Sequence, residues 1–320
     1  MTEDEIDKSA AFAASRAKLL SLAYRMLGSR AEAEDVVQDA WLKWHLAEAS
    51  DVRAPAGWLT TITTRLAIDR LRHLQMERAS RAGGWLPEPW LDDVAPSAEE
   101  VALRSVDMSY GLLLLLERLT PDERAAFVLH EAFDCDYAEI AQIIDKSVAN
   151  CRQIVHRAKA RLRRAGDEPR PAVDPAAHAR VVERLRAAIE AQDRAQLMRL
   201  FSVEPVVLTD AEVADTGAAI ASARWVDQVV SRAAPPLAAE VVSINGATGI
   251  ALLHDGEITE LLDVTIEDGR IVRLCIVSSA ANLYAANRDF GARAVVRLLK
   301  PMCSHSRMPA MRSTQPITLC

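Results

Sequence analysis

Between Arg152 and Arg164 the chain places six basic side chains and no acidic one, directly after a stretch, Asp122–Lys146, that holds seven acidic groups and two basic. Within the basic stretch Val148, Cys151, Val155, Ala158 and Leu162 recur at spacings of 3 and 4, which makes them the packed face of one helix. Asn150, Arg152, Gln153, His156, Arg157, Lys159 and Arg161 stay outside it. An α-helix fits the major groove of DNA, where amides and guanidinium groups match base edges and further cations hold phosphates. Ser147, as N-cap, leaves backbone N–H groups directed at a phosphate. This chemistry recognises and makes no bonds. The blander alternative is a solvated basic face on a structural helix, and the abrupt change from seven acids to six bases disfavours it.

Two earlier stretches carry related chemistry. In Arg30–Trp44, Glu32, Asp35 and Asp39 share a face, and Val36, Val37, Ala40, Trp41 and Trp44 supply the apolar remainder. From Trp58 to Arg72, hydroxyl and basic groups lie on the side away from Leu59, Ile62, Leu66 and Leu71; hydroxyls beside Trp and Arg suit a phosphate chain or unstacked bases.

The elements that position these residues are legible from their caps. Ser29-x-x-Glu32, Ser97-x-x-Glu100, Thr120-Pro121-x-Glu123 and Asp136-x-x-Glu139 each set a short oxygen acceptor three residues before a Glu. The spacing predicts helices over Ser9–Leu27, Arg30–Leu46, Pro55–Arg78, Ala98–Leu119, Pro121–Ala132, Tyr137–Ile144 and Val148–Arg164. The turn Asp145-Lys146-Ser147 makes the last two a helix-turn-helix over 137–164. Asp145 stands where such turns usually have Gly, and Asp enters the left-handed region at modest cost. Gly83-Gly84 and prolines 87, 89 and 96 make 81–96 a linker of 16 residues. At full stretch it reaches roughly 55 Å, about 16 base pairs of DNA. A second linker covers 166–174. Beyond it the pattern predicts helices over Pro175–Ala191 and Arg194–Phe201. Strands follow over Pro205–Leu208, Ala239–Ile244, Gly249–Leu253, Ile258–Ile266 and Arg270–Val277, with Asp255-Gly256 and Asp268-Gly269 as hairpin turns. That is an α+β domain with an antiparallel meander, and the tail, 300–320, is expected to be disordered.

The 320 residues are 50% apolar and 26% charged with net charge −7, which excludes a disordered chain, a disulfide miniprotein and a protein that coats nucleic acid indiscriminately. The most apolar stretch, Leu112–Leu116, is five residues and too short to span a membrane. Thr2-Glu3-Asp4-Glu5 has the wrong charge for a signal peptide, so a cytoplasmic protein is expected. Cysteines 135, 151, 275, 303 and 320 form no close pairs, so neither a disulfide framework nor a zinc site is expected.

Leu19–Trp44 with Pro55–Arg72 resembles region 2 of a sigma-70-type transcription initiation factor, and Leu119–Leu162 resembles region 4. The string Ala33-Glu34-Asp35-Val36-Val37-Gln38-Asp39-Ala40-Trp41 is the most specific part. The two regions joined by a short linker match the extracytoplasmic-function group, and Ala176–Leu283 resembles a SnoaL-like cone fold that one subgroup carries as an extension. Trp85-Leu86-Pro87-Glu88-Pro89, Ile244-Asn245-Gly246, Gly249 and Gly269-Arg270-Ile271 fit that subgroup. Two of its motifs are missing: Thr209–Ala219 lacks the Asp-Gly-Gly-Gly segment, and Ser279–Leu283 keeps only the Leu of Asn-Pro-Asp-Lys-Leu.

The resemblance implies two all-α sigma domains plus an α+β SnoaL-like domain, divided as 9–80, linker 81–96, 97–165, linker 166–174 and 175–290. It implies core RNA polymerase and promoter DNA as partners, no membrane and no cofactor. It also implies contact between the SnoaL-like and sigma domains. Glu32, Asp35, Val36, Asp39 and Trp41 would face polymerase. Residues around His45–Arg53 would catch a flipped −10 base, with Trp58, Thr61, Arg65, Asp69, Arg70 and Arg72 along the −10 element. Arg152, Gln153 and His156 would read the −35 element among Asn150, Lys159 and Arg161, with Ser147 and Arg157 on phosphates. The C-terminal domain stays open between regulation in cis, sensing of a small ligand, and catalysis; since the cone fold also hosts enzymes whose apolar pocket can raise a carboxyl pKa, the resemblance makes Asp210, Asp215, His254 and Asp263 candidate general bases, though no spacing sets a second polar group beside His254. The alternatives to a sigma factor are a helix-turn-helix regulator that recruits no polymerase and an enzyme fused to DNA-binding domains.

Overall fold

Side-chain caps begin the helices where short acceptors precede glutamates. The Ser29 hydroxyl accepts from the Glu32 N–H and opens α2 (Arg30–Leu46), which follows α1 (Glu3–Leu27) and precedes α3 (Pro55–Ala79). Full capping boxes at Thr120/Glu123 and Asp136/Glu139 open α5 (Pro121–Ala132) and α6 (Tyr137–Ile144). Between α3 and α5 lies α4 (Tyr110–Leu116), capped by Ser109, and α7 (Val148–Arg164) completes the first set. The computed structural model describes residues 3–47, 52, 54–79, 85–91, 109–164, 174–211, 219–232, 238–288 and 290–291. The cap at Ser97, Asp215, most of the loop from 48 to 53, the second linker up to 173 and the tail lie outside the described residues.

Helices α1, α2 and α3 pack around Leu19, Leu22, Tyr24, Val37, Leu59 and Leu71. The Trp44 indole N–H donates to the Lys8 carbonyl at 2.9 Å. Helices α5, α6 and α7 close on Leu129, Ile140, Cys151, Ile154, Val155 and Ala158, and this core is continuous with the first. The join between them is partly ionic. Arg124 on α5 is fully buried, donates from Nε to the Arg25 carbonyl at 2.8 Å, and pairs with Glu117, which also holds Arg78 at 2.9 Å. Removing one member of a buried pair strands the other. Glu117→Ala is therefore expected to cost about 3–5 kcal/mol in chemical denaturation, and a loss under about 1 kcal/mol would mean that Arg124 is not held by charge.

The second part begins with α8 (Pro175–Glu190) and α9 (Arg194–Leu200) and contains α10 (Ser222–Val230). Its strands are β1 (Phe201–Thr209), β2 (Ala219–Ile220), β3 (Ala238–Ile244), β4 (Ala247–His254), β5 (Glu257–Glu267) and β6 (Arg270–Val277), in the order β2-β1-β6-β5-β4-β3. β3 to β6 form the expected antiparallel meander. β1 departs from it by pairing parallel to β6, for example Leu208 with Cys275. Asp255-Gly256 and Asp268-Gly269 both take positive φ, the backbone of a tight hairpin. Asn245-Gly246 is a third such turn.

Period-2 alternation buries the sheet on both faces. Ile250, Leu252, Leu262, Leu274 and Ile276 pack against α8, α9 and α10, while Ala251, Leu253, Leu261, Cys275 and Val277 join the core of the helical half. The middle of the predicted linker runs through that second interface. Residues 85–91 lie outside any helix or strand, with Leu86, Trp90 and Leu91 buried and Leu91 bridged to Ile244, so this segment is a docked strap and not a solvated tether.

Candidate nucleic-acid and polymerase interface

The turn before α7 is made by Asp145, whose φ of 53° is left-handed as the sequence requires. The Ser147 hydroxyl accepts from the Asn150 N–H at 3.2 Å and so caps α7. Arg152, Gln153, His156 and Arg157 are exposed. Gln153, His156 and Arg157 have no partner among the described residues, and Arg152 lies 5.5 Å from the Tyr137 ring centre. Asn150 is half-buried. Lys159 and Arg161 differ from the expectation of a free basic face. Lys159 pairs with Glu131 at 2.7 Å and Arg161 with Glu123 at 2.9 Å, which ties the end of α7 to α5. The buried stripe also includes Ile154.

The face of α3 is engaged throughout. Trp58 packs on Trp44 with ring centres 5.5 Å apart, and the Thr61 hydroxyl donates to its own helix at the Gly57 carbonyl. Arg65 donates to the carbonyls of Gln142 and Ile143, both at 2.9 Å, which satisfies two orphaned carbonyls in the last turn of α6. Arg72 joins Asp69 at 3.0 Å to Asp122 at 2.9 Å, and Lys146 reaches the same Asp122. Trp58 and Thr61 line a cleft of about 540 Å³ whose far wall includes Phe133, Glu139 and Gln142.

Arg70 forms two hydrogen bonds with Glu32, one of them 2.7 Å, and that bond raises the Arg70 pKa further. Glu32 and Arg70, expected on separate surfaces, are thus one ion pair. Val36 is only 4% exposed and belongs to the helical core, and the Trp41 ring meets those of Phe12 and His45 in tilted contacts at 4.9 and 5.6 Å. Of the acidic face, Asp35 and Asp39 stand in solvent without a salt bridge among the described residues. Gln38 is exposed beside them. Leu42 and Leu46, at 53% and 82% exposure, continue the Asp35–Asp39 stripe along α2. Sequence reasoning passed over both leucines, though their spacing of seven and eleven from Asp35 carries the signal.

The strap joins all three packing units. Gly28 ends α1 at φ 67°, where a Cβ would strike the Trp85 ring at 2.8 Å, and its carbonyl accepts from the Glu88 N–H at 2.7 Å. The Glu88 carboxylate accepts from the Ser29 hydroxyl and the Arg30 N–H, and burial raises its pKa. Tyr24 donates to the Glu88 carbonyl and Tyr110 to that of Pro87, both at 2.7 Å. From the sheet, the Asn245 side chain accepts from the Trp90 N–H at 3.0 Å and donates to the Tyr24 hydroxyl at 3.0 Å. Asn282 donates to the Leu86 carbonyl at 3.2 Å.

The proposed catalytic carboxylates are not assembled into a site. Asp210 accepts from the backbone and hydroxyls of Ser278 and Ser279 and from Asn282, so it caps a final helical segment, 280–288. His254 is exposed beside Asp255. Burial pushes the Asp263 carboxyl up to about 6, against the opposing charges of His178 and Arg273. The unfolded carboxyl ionises near 3.8, so native stability falls as pH rises from there to about 6. Asp263→Asn should stabilise the fold by about 2–3 kcal/mol at neutral pH and by nothing below pH ~4, as read by urea unfolding at both values; an equal effect at both would exclude titration as the cause.

Residues 11–76 match the family model for sigma-70 region 2, and 111–162 match that for sigma-70 region 4. The chain is 34% identical to the ECF RNA polymerase sigma factor SigJ of Mycobacterium tuberculosis over 82% of this chain and 89% of that one. It is 32% identical to the probable ECF sigma factor SigI of the same species, over 88% and 97%. The crystal structure of the M. tuberculosis factor SigJ superposes with a TM-score of 0.68 at 31% identity, covering 86% of this chain and 97% of that one. With both regions matched in order around this geometry, the chain belongs to the extracytoplasmic-function RNA polymerase sigma factors, which direct promoter-specific transcription initiation.

Proposed function

We propose that the outer face of α7 reads the −35 element through Arg152, Gln153 and His156, with Ser147 and Arg157 on phosphates. The observation that carries this reading is the exposure of those side chains on a helix of whose other basic groups Lys159 and Arg161 are anchored to α5. Those two act as braces for the helix. Asp35, Asp39, Leu42 and Leu46 form the polymerase-facing stripe, in which carboxylates steer the encounter and the leucines supply apolar contact.

Trp58, Thr61, Arg65, Asp69, Arg70 and Arg72 serve the −10 element after release. Arg65 and Arg72 are held by α6 and Asp122, so region 4 has to leave the face of α3 before that face can take a strand of DNA. Acting beside polymerase in the cytoplasm, this chain contributes binding and positioning and catalyses no covalent step. The extension acts in cis through the strap, because Asn245 and Asn282 grip the same seven residues that Tyr24, Gly28 and Tyr110 hold. Run-off transcription with purified core polymerase tests the reading: a promoter-dependent transcript that needs this chain is expected, and neither transcript nor binding to core would end it.

A further inference from the structure

Between α10 and the sheet lies a cavity of about 520 Å³ that no residue of α3 or α7 lines. Its walls hold two buried polar atoms without a hydrogen-bond partner among the described residues: Nε1 of Trp225 and Oε2 of Glu260. The other carboxylate oxygen of Glu260 is held by Arg232. Arg224 stands exposed at the rim and has no partner among the described residues. Buried polar atoms left unmade each cost about 1–3 kcal/mol, so two in one cavity wall mark a place where something else satisfies them.

We propose that this cavity binds a small organic acid that also carries a hydrogen-bond donor. The lining specifies that chemistry group by group. Arg224 and the free donors of Arg232 take the carboxylate through charge-assisted bonds, with one net positive charge left after Glu260 is counted. Ile220, Ile276 and the Trp225 ring cover an apolar body. The Trp225 N–H needs an acceptor, and the Glu260 oxygen needs a hydroxyl or amine N–H. A hydroxybenzoate meets all of these demands, and a volume of about 520 Å³ holds it with room for water. The proposal does not depend on the assignments at α3 and α7.

The test uses the full-length protein and two independent readouts. Isothermal calorimetry with 4-hydroxybenzoate and 4-hydroxyphenylacetate is expected to give saturable one-site binding, about tenfold or more weaker for benzoate, which lacks the donor, and for 4-hydroxybenzyl alcohol, which lacks the acid. Arg224→Ala, a change at an exposed position, should weaken binding by about tenfold or more with an unchanged melting temperature. In nitrogen-15 spectra the indole cross-peak that Trp225→Phe removes should move on titration while the other five Trp indoles stay in place. No saturable binding of either acid at millimolar concentration, or equal affinity in Arg224→Ala, overturns the proposal. Movement of other indoles with Trp225 static overturns it as well.

Discussion

Arg152→Ala is expected to lower affinity for the cognate −35 element by about 1–3 kcal/mol and to relax selection at one base pair. Its guanidinium is exposed on the outward face of α7 and, among the described residues, makes only an aromatic contact with Tyr137 at 5.5 Å, so its donors remain available to a base edge. The rest of α7 stays in place without it, because Cys151, Ile154, Val155 and Ala158 are buried and Lys159 and Arg161 are tied to α5. Binding to a set of −35 variants checks this directly. Loss confined to one position marks a base reader, while equal loss on every sequence and a salt dependence reduced by about one ion would mark a phosphate contact.

Reversing Asp35 and Asp39 together to Lys should weaken binding to core polymerase roughly tenfold to a hundredfold, since like charges set across an interface cost several kcal/mol. Both carboxylates are exposed and outside any ion pair among the described residues, so the helical core does not depend on them. Glu32→Lys serves as a contrast. It destroys the pair with Arg70, and its effect on stability separates a structural carboxylate from a docking one. Affinity measured on surface-immobilised core, with circular dichroism of the variants, decides the matter; unchanged affinity in the double reversal would remove α2 from the interface.

Features set by neighbours in sequence were legible beforehand, and features set by distant contacts were not. The cap at Ser29, the two capping boxes, left-handed Asp145 and the Asp-Gly hairpins depend on three or four adjacent residues, so spacing alone exposes them. The parallel pairing of β1 with β6 joins residues more than sixty positions apart, and a period-2 pattern does not encode which neighbour a strand takes. Helix α10 was overlooked entirely. The same limit applied to charge. Glu32, Arg65, Arg70, Arg72, Lys159 and Arg161 carry the residue types of a binding surface, yet each finds a partner 20 or more positions away, or on another helix. The strap shows the limit most clearly. Gly83-Gly84 and the prolines forbid a helix, which is a local fact, but the burial of Leu86 and Trp90 follows from Gly28, Tyr24 and Asn245.

Net charge follows the same logic. A chain at −7 repels bulk nucleic acid, and its exposed cations on α7 act locally, within the roughly 8–10 Å over which salt leaves a surface charge visible. Acidic groups on α5 brace that helix through Glu131 and Glu123.

As a sigma factor this chain places a polymerase on a promoter, and the proposed role of the α3 face is to open the −10 element. Permanganate footprinting on a promoter fragment, with core polymerase and this chain added separately and together, tests it most directly. Reactive −10 thymines that arise only with both components, and fade in Arg65→Ala and Arg72→Ala, are the result the account predicts. Binding that leaves every thymine paired, or melting that proceeds without this chain, would contradict it.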